Sequence, residues 1–207
     1  MRVVVIGASG TIGAAVVEAL EPRHEVVRAS RESGVPVDIG DSTSVDRMFD
    51  VVGGVDAVVC VAAHARSVAL GELTGDHLGE ALRGKLIGQA MLVSRSIAHL
   101  RDGGSITLTA GDFGRQAPGS AVGVLVNEGL QGFVRAAAPD LPRGLRVNVV
   151  SPGWVRETQV ALGMAELTGV PARVVARSYV ECVEGGFTGR NLFPASNRTP
   201  PARGGRR

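Results

Sequence analysis

Val3-Val4-Val5-Ile6-Gly7-Ala8-Ser9-Gly10-Thr11-Ile12-Gly13-Ala14-Ala15-Val16-Val17 is the stretch whose reading decides the fold. Four β-branched apolar residues in a row suit a strand buried on both faces. Gly7, Gly10 and Gly13 then recur at three-residue spacing, and an Ala/Val-rich run able to form a helix follows. Glycine lets the chain turn sharply and lets backbone approach a pyrophosphate closely. The helix opening behind the turn directs unpaired N–H groups, and roughly half a positive charge, at the same place. Three spaced glycines alone are a weak signal. Between a strand and a helix they point to dinucleotide binding by Gly7, Ser9, Gly10, Thr11, Ile12 and Gly13.

The chain has 207 residues, 44% of them apolar, rich in Val and Ala and poor in aromatics. That suits one α/β domain over residues 1–195, followed by a disordered basic tail, 196–207. The tail holds Arg198, Arg203, Arg206 and Arg207 and no acid, within a net charge of only +2. The rest of the chain is therefore slightly acidic, with no basic face for nucleic acid. Cys60 and Cys182 lack metal-ligand spacing and read as small buried apolar residues, so no metal is expected. No apolar run reaches the ~18 residues of a membrane span, and residues 1–13 read as strand and turn rather than as a leader. A cytoplasmic protein is the expectation.

Strand and helix alternate along the chain, which argues for a Rossmann-type doubly wound parallel sheet. Strands are expected at Val3–Ile6, Glu25–Ala29, Val35–Ile39, Val55–Val61, Ser105–Thr109, Leu145–Val150 and Thr188–Phe193. Helices are expected at Thr11–Glu21, from a cap at Ser42 or Thr43 to Val52, and at Leu86–Leu100, Ala121–Ala138 and Pro171–Glu184. Thr74 is a candidate helix cap, and Pro171 would occupy a first turn. Strand two ends in Ser30-Arg31, where an NAD-binding chain would offer an acid to the ribose 2′-OH. Arg31 can instead pair with a 2′-phosphate through its planar fork, which favours NADP. Asp38 and Ile39 would lie beside the adenine, with Asp38 accepting from its amine. Ala62 and Ala63 are small enough to let a cofactor pass. His64 is a candidate proton donor, or a plain loop residue.

At this point the chain resembles the short-chain dehydrogenase/reductases over about Met1 to Pro194. Four runs carry the resemblance: Gly7 to Gly13, Asp38-Ile39-Gly40-Asp41, Val55 to Ala63, and Arg146-Val147-Asn148-Val149-Val150-Ser151-Pro152-Gly153-Trp154-Val155. The resemblance implies that Pro152 and Gly153 lie against a nicotinamide, with Val155 and Thr158 beside its carboxamide. It also implies a homodimer or homotetramer formed through the helices on either side of strand five. The family's acid–base residues are missing. Ala110 falls where its Ser belongs, Gly123 at its Tyr and Asn127 at its Lys. Lys85 stands at the Asn of the polar relay, and Tyr179 is the chain's one tyrosine. The chain is thus similar to a small atypical branch of about two hundred residues.

Two functions follow from that mixture. The first is an NADP-dependent oxidoreductase that moves hydride to a small organic substrate with a non-standard proton donor. A positioned acid is typically worth about 10²–10⁴ in rate, so its loss weakens reduction without forbidding it. The candidate catalytic residues are Lys85, Asn127, Asp112 and His64, with a ribose contact as the plain alternative for Asn127 and surface charge for Lys85 and Asp112, the plain reading being preferred for Asp112. The alternative function is an NADP-binding pseudo-reductase acting as a cyclase, an isomerase, or a cofactor-sensing or scaffolding protein.

Overall fold

Alternate residues of the first strand face different cores, as expected for a strand covered on both sides. Val4 and Ile6 join one buried cluster, and Val3 and Val5 another. The computed structural model describes residues 1–62, 67–112 and 119–194. Within them seven strands form one sheet: β1 (Arg2–Ile6), β2 (Glu25–Ser30), β3 (Val35–Pro36), β4 (Val55–Cys60), β5 (Leu100–Thr109), β6 (Arg146–Val150) and β7 (Asn191–Leu192). Every pairing is parallel, in the order β3-β2-β1-β4-β5-β6-β7. The order reverses between β1 and β4, and ligands of open parallel sheets bind beyond the strand C-termini at such a point.

Helices α1 (Thr11–Leu20), α2 (Ser42–Val52), α3 (Gly75–Ala81), α4 (Gly88–Ser96), α5 (Ala121–Ala137), α6 (Arg156–Ala161) and α7 (Ala172–Glu184) surround the sheet. One core lies between the sheet and α2, α4 and α5, through Phe49, Leu92 and Leu130. The other lies under α1 and α7, through Val16, Leu20, Val175 and Tyr179. Arg146 holds the end of α7 by donating to the carbonyls of Cys182, Val183 and Phe187.

Several boundaries differ from the sequence expectation, for local reasons. β3 ends at Pro36, because Asp38 Oδ1 accepts from the Gly40 N–H and the Asp38 N–H donates to Ser44, which turns the chain out of the sheet. Asp41, rather than Ser42 or Thr43, caps α2 by accepting from Thr43 N–H. The helix expected at Leu86 begins earlier. α3 is capped by Thr74 and His77 in reciprocal bonds, then runs through a π-helical turn, Leu82–Ile87, into α4. β5 starts at Leu100, and Pro171 is the N-cap of α7 rather than a first-turn residue. The last strand is only two residues, and α6 is an additional short helix. The tail 196–207, Ala63 and His64 lie outside the described residues.

The glycine turn sets how α1 leaves β1. Gly7 has φ +86°, and a Cβ on Gly13 would stand 2.0 Å from the Gly7 carbonyl oxygen. Gly13→Ala is expected to lower unfolding free energy by about 1–3 kcal/mol, the range for an overpacked core. Urea denaturation of the purified chain checks this.

Candidate active site

The first part of the site is a cavity of about 470 Å³ over the ends of β1, β2 and β4. Gly7, Ser9 and Gly10 form its floor, and Gly10 precedes α1 without any side-chain cap. The first N–H groups of that helix are therefore left for a ligand. Thr11 is the first residue of α1 and is exposed, whereas Gly13 is buried against Gly7 and lines neither cavity. A Cβ on Gly7 would come within 2.7 Å of the Ala62 nitrogen, so the turn and the end of β4 are packed backbone to backbone. At the far end, Ser30 is buried, Arg31 is exposed on the rim, and Val37, Asp38 and Ile39 form the side wall. Ser33 stitches this corner by accepting from Ser30 N–H and donating to Val35 O.

Val61 is shared with a second cavity of about 250 Å³, so the two are continuous along one edge of the sheet. Ile12, Pro152, Gly153, Val155 and Thr158 line one side of it, with Trp154 half-exposed at the mouth. Lys85, Asn127 and Asp112 line the other side. Lys85 sits in the π-helical turn, only 8% exposed, and is therefore not the surface charge of the plainer sequence reading. Its Nζ donates to Asn127 Oδ1 at 2.8 Å and to the Ala110 carbonyl at 3.1 Å. Asn127 is buried on α5, and its Nδ2 would stand 2.9 Å from a Cβ placed on Gly111. Burial lowers the Lys85 pKa from 10.5 to about 8, partly offset by the nearby Cys60 thiol. Such an ammonium can give up its proton near neutrality.

Tyr179 is on the other face of the sheet, fully buried among residues of α1 and α7. Thr109 Oγ1 lies 2.7 Å from its hydroxyl and 2.6 Å from the Cys60 carbonyl. The threonine has one proton, which the carbonyl requires, so the Tyr179 hydroxyl donates to Thr109. Burial raises the Tyr179 pKa well above the ordinary tyrosine value. Tyr179 thus holds the end of β5 from behind and does not enter the cavity wall.

The sequence reading missed Gln89, whose carboxamide makes two hydrogen bonds to the backbone of Thr109. It also passed over a compositional signal. Lys85 is the one lysine among 22 basic residues, all the others being arginine. Arginine does not release its proton in proteins, whereas a buried lysine can.

A family model described as enoyl-(acyl carrier protein) reductase matches residues 2–182. The chain belongs to the short-chain dehydrogenase/reductase family. The solved structure of the protein lin1944 from Listeria innocua is 39% identical. It aligns over 94% of this chain and 100% of that one, with a TM-score of 0.90. A short-chain dehydrogenase from Burkholderia cenocepacia, solved in complex with NADP, shares the fold at 24% identity. That match covers 95% of this chain and 98% of the other, with a TM-score of 0.81. The glucose and ribitol dehydrogenase homolog 2 of Arabidopsis thaliana is 29% identical over 148 residues, which is 67% of this chain and 50% of that protein. The chain thus spans about half the length of this curated relative. Among the described residues, no helix is long and apolar enough to cross a membrane, and no group of His, Cys, Asp or Glu could hold a metal ion.

Two measurements follow from this geometry. The Lys85 pKa is lower folded than unfolded, so between pH 8 and 10.5 the unfolded chain binds more protons and stability rises with pH. Below about 8 the whole penalty is present. It amounts to roughly 3 kcal/mol, from the two pKa values at 1.36 kcal/mol per unit. Urea titrations of the parent and Lys85→Met across this window should show the difference between them changing by that order. Taking the difference removes the opposite contribution of the buried cysteines and Tyr179. Separately, Tyr179→Phe should cost about 1 kcal/mol in the same assay, the worth of one buried hydrogen bond.

Proposed function

We propose that this protein is an NADP-dependent oxidoreductase that moves hydride between the nicotinamide and a small organic substrate, with Lys85 as the proton source. The observation that carries the reading is the single lysine, buried where the cofactor cleft continues into a second cavity. NADPH, when bound, supplies the hydride.

The residues present suit that cofactor. The uncapped start of α1 and the Gly7–Gly10 turn offer backbone N–H groups to a pyrophosphate. Arg31 and Ser30 would take the 2′-phosphate, and Asp38, Ile39 and Ala62 the adenosine side. Ile12, Pro152, Gly153, Val155 and Thr158 would flank the nicotinamide. The choice of cofactor is supported by the Burkholderia protein of the same fold, which was solved in complex with NADP.

Lys85 gives its proton to the substrate atom that gains electron density, and its amine is reprotonated from solvent. Asn127 and the Ala110 carbonyl keep the ammonium aimed into the cavity. Asn127 is thus a positioning residue. Asp112 lines the same cavity and would contribute to its field.

The test joins binding to turnover. NADPH and NADH are titrated by fluorescence, and NADPH oxidation is followed with a panel of ketones, imines and enones. Arg31→Ala should weaken NADPH by about tenfold or more and leave NADH nearly unchanged, as for loss of a charged hydrogen bond. Lys85→Arg, which keeps a charge but releases no proton, should lower turnover by roughly 10²–10⁴ while NADPH still binds. Parent turnover should fall as pH rises through about 8, where Lys85 loses its proton. Tight NADPH binding without oxidation of any substrate would favour the non-redox alternative. No binding of either cofactor would overturn both.

A further inference from the structure

We propose that Gln89 is a positioning residue for Lys85: its carboxamide replaces a neighbouring strand at the end of β5 and thereby fixes the Ala110 carbonyl on which the Lys85 ammonium rests. This rests on the reading of Lys85 as the proton source of the site.

The sheet itself leaves the gap that Gln89 fills. β4 and β5 are paired through Val59 and Thr107, and no further residue pair follows. On its other side β4 remains paired with β1 through Cys60, and β5 remains paired with β6 through Thr109. Two neighbouring strands therefore part at their C-terminal ends while each stays attached to its outer neighbour. The Thr109 N–H and carbonyl would be orphaned on the parted side, where buried backbone groups must find partners. Gln89 supplies both: Thr109 N–H donates to Oε1 at 2.8 Å, and Nε2 donates to Thr109 O at 3.0 Å. Gln89 is 0% exposed, so no water substitutes for it from outside. A primary amide offers an uncharged donor and acceptor side by side in this way at any ordinary pH.

The clamp acts on the catalytic wall because of spacing. Gln89 follows Lys85 by four residues, and the helix runs from the π-helical turn into α4 between them. Both side chains reach the end of β5, at consecutive residues: Gln89 at Thr109 and Lys85 at the Ala110 carbonyl. Thr109 is held from the opposite face of the sheet by Tyr179. Gln89 thus holds the residue before Ala110 on the β4 side, while the Ala110 N–H donates to the Val150 carbonyl on the β6 side, and the carbonyl under the ammonium is fixed between the two. Burial and Cys60 on β4 act on the Lys85 charge state, and the other groups facing the ammonium are Asp112 after β5, which lines the same cavity, and the neutral Asn127 on α5.

The experiment reads the proton affinity of Lys85 directly, in the full chain and without any substrate. Lys85 is the one ε-amine in the sequence, so trace acetylation with acetic anhydride against pH, followed by mass spectrometry, reports on it alone beside the N-terminal amine. The parent should give a midpoint near 8. Gln89→Met keeps length and removes both hydrogen bonds. Its midpoint should move downward by about half a pH unit or more, because the ammonium loses the fixed carbonyl that favours its charged form, whereas an upward shift, from water entry alone, would overturn the proposal. Gln159→Met is the control. Gln159 is equally buried, bonds Gly169 N–H and is placed in α6, so its loss should leave the Lys85 midpoint at the parent value. If Gln89→Met does not fold, Gln89→Asn keeps an amide whose shorter reach cannot span both Thr109 groups. A folded Gln89 variant with the parent midpoint overturns the proposal, and so does an equal shift in Gln159→Met. Absence of NADPH oxidation would count against the proposed activity, and the titration would still decide the role of Gln89.

Discussion

The contact between Gly13 and the Gly7 carbonyl is the constraint on which the rest of the molecule depends. A helix can follow β1 so closely only if no side chain stands between them, and a methyl group at Gly13 would overlap that oxygen. The closeness aims the start of α1 at the end of the sheet and not past it. It also brings the Gly7 turn against Ala62, so that β1 and β4 end together at the reversal of strand order. The cleft, the uncapped helix N-terminus and the shared wall at Val61 all follow from this arrangement.

The helix from Gly75 to Ser96 ties the two cavities to each other. Gly84 lines the first, and its neighbour Lys85 lines the second. A Cβ on Gly88 would approach the Ile39 carbonyl to 2.7 Å, so the helix is pressed against the adenine-side wall. One turn of this helix therefore touches the wall proposed to hold adenine and the amine proposed to give the proton. The π-helical turn falls at this point, and such turns often mark sites where side chains must be re-aimed.

Burying an ammonium costs free energy, and here the protein offsets it with a carbonyl and a carboxamide in place of a carboxylate. A carboxylate partner would hold the proton on Lys85 and raise its pKa. Neutral acceptors hold the amine in place while leaving its proton affinity low. That combination suits a group that must deliver a proton and recover it, and arginine could not provide it.

Much of the architecture was readable in the chain, because it depends on local patterns. The apolar run Val3–Ile6, the spaced glycines and the alternation of strand and helix each constrain the backbone within a few residues. They are enough to specify a doubly wound parallel sheet and the edge on which its cavities open. The resemblance of Pro152-Gly153 and Asp38-Ile39 to family segments located two walls of the cleft for the same reason. Lys85 and Asn127 could be named from alignment, but nothing near them in sequence says that Lys85 is buried, that Asn127 accepts from it, or that Tyr179 lies behind the sheet. Those facts depend on contacts between residues 42 and 70 positions apart. The Gln89 clamp exists only because β4 and β5 part after Val59 and Thr107, and strand separation is a property of the packed sheet that no single segment encodes. Local sequence determined most of the elements of the sheet and the edge on which the two cavities open. Tertiary packing decided which side chains meet there, because burial and long-range hydrogen bonds arise only when distant segments are brought together.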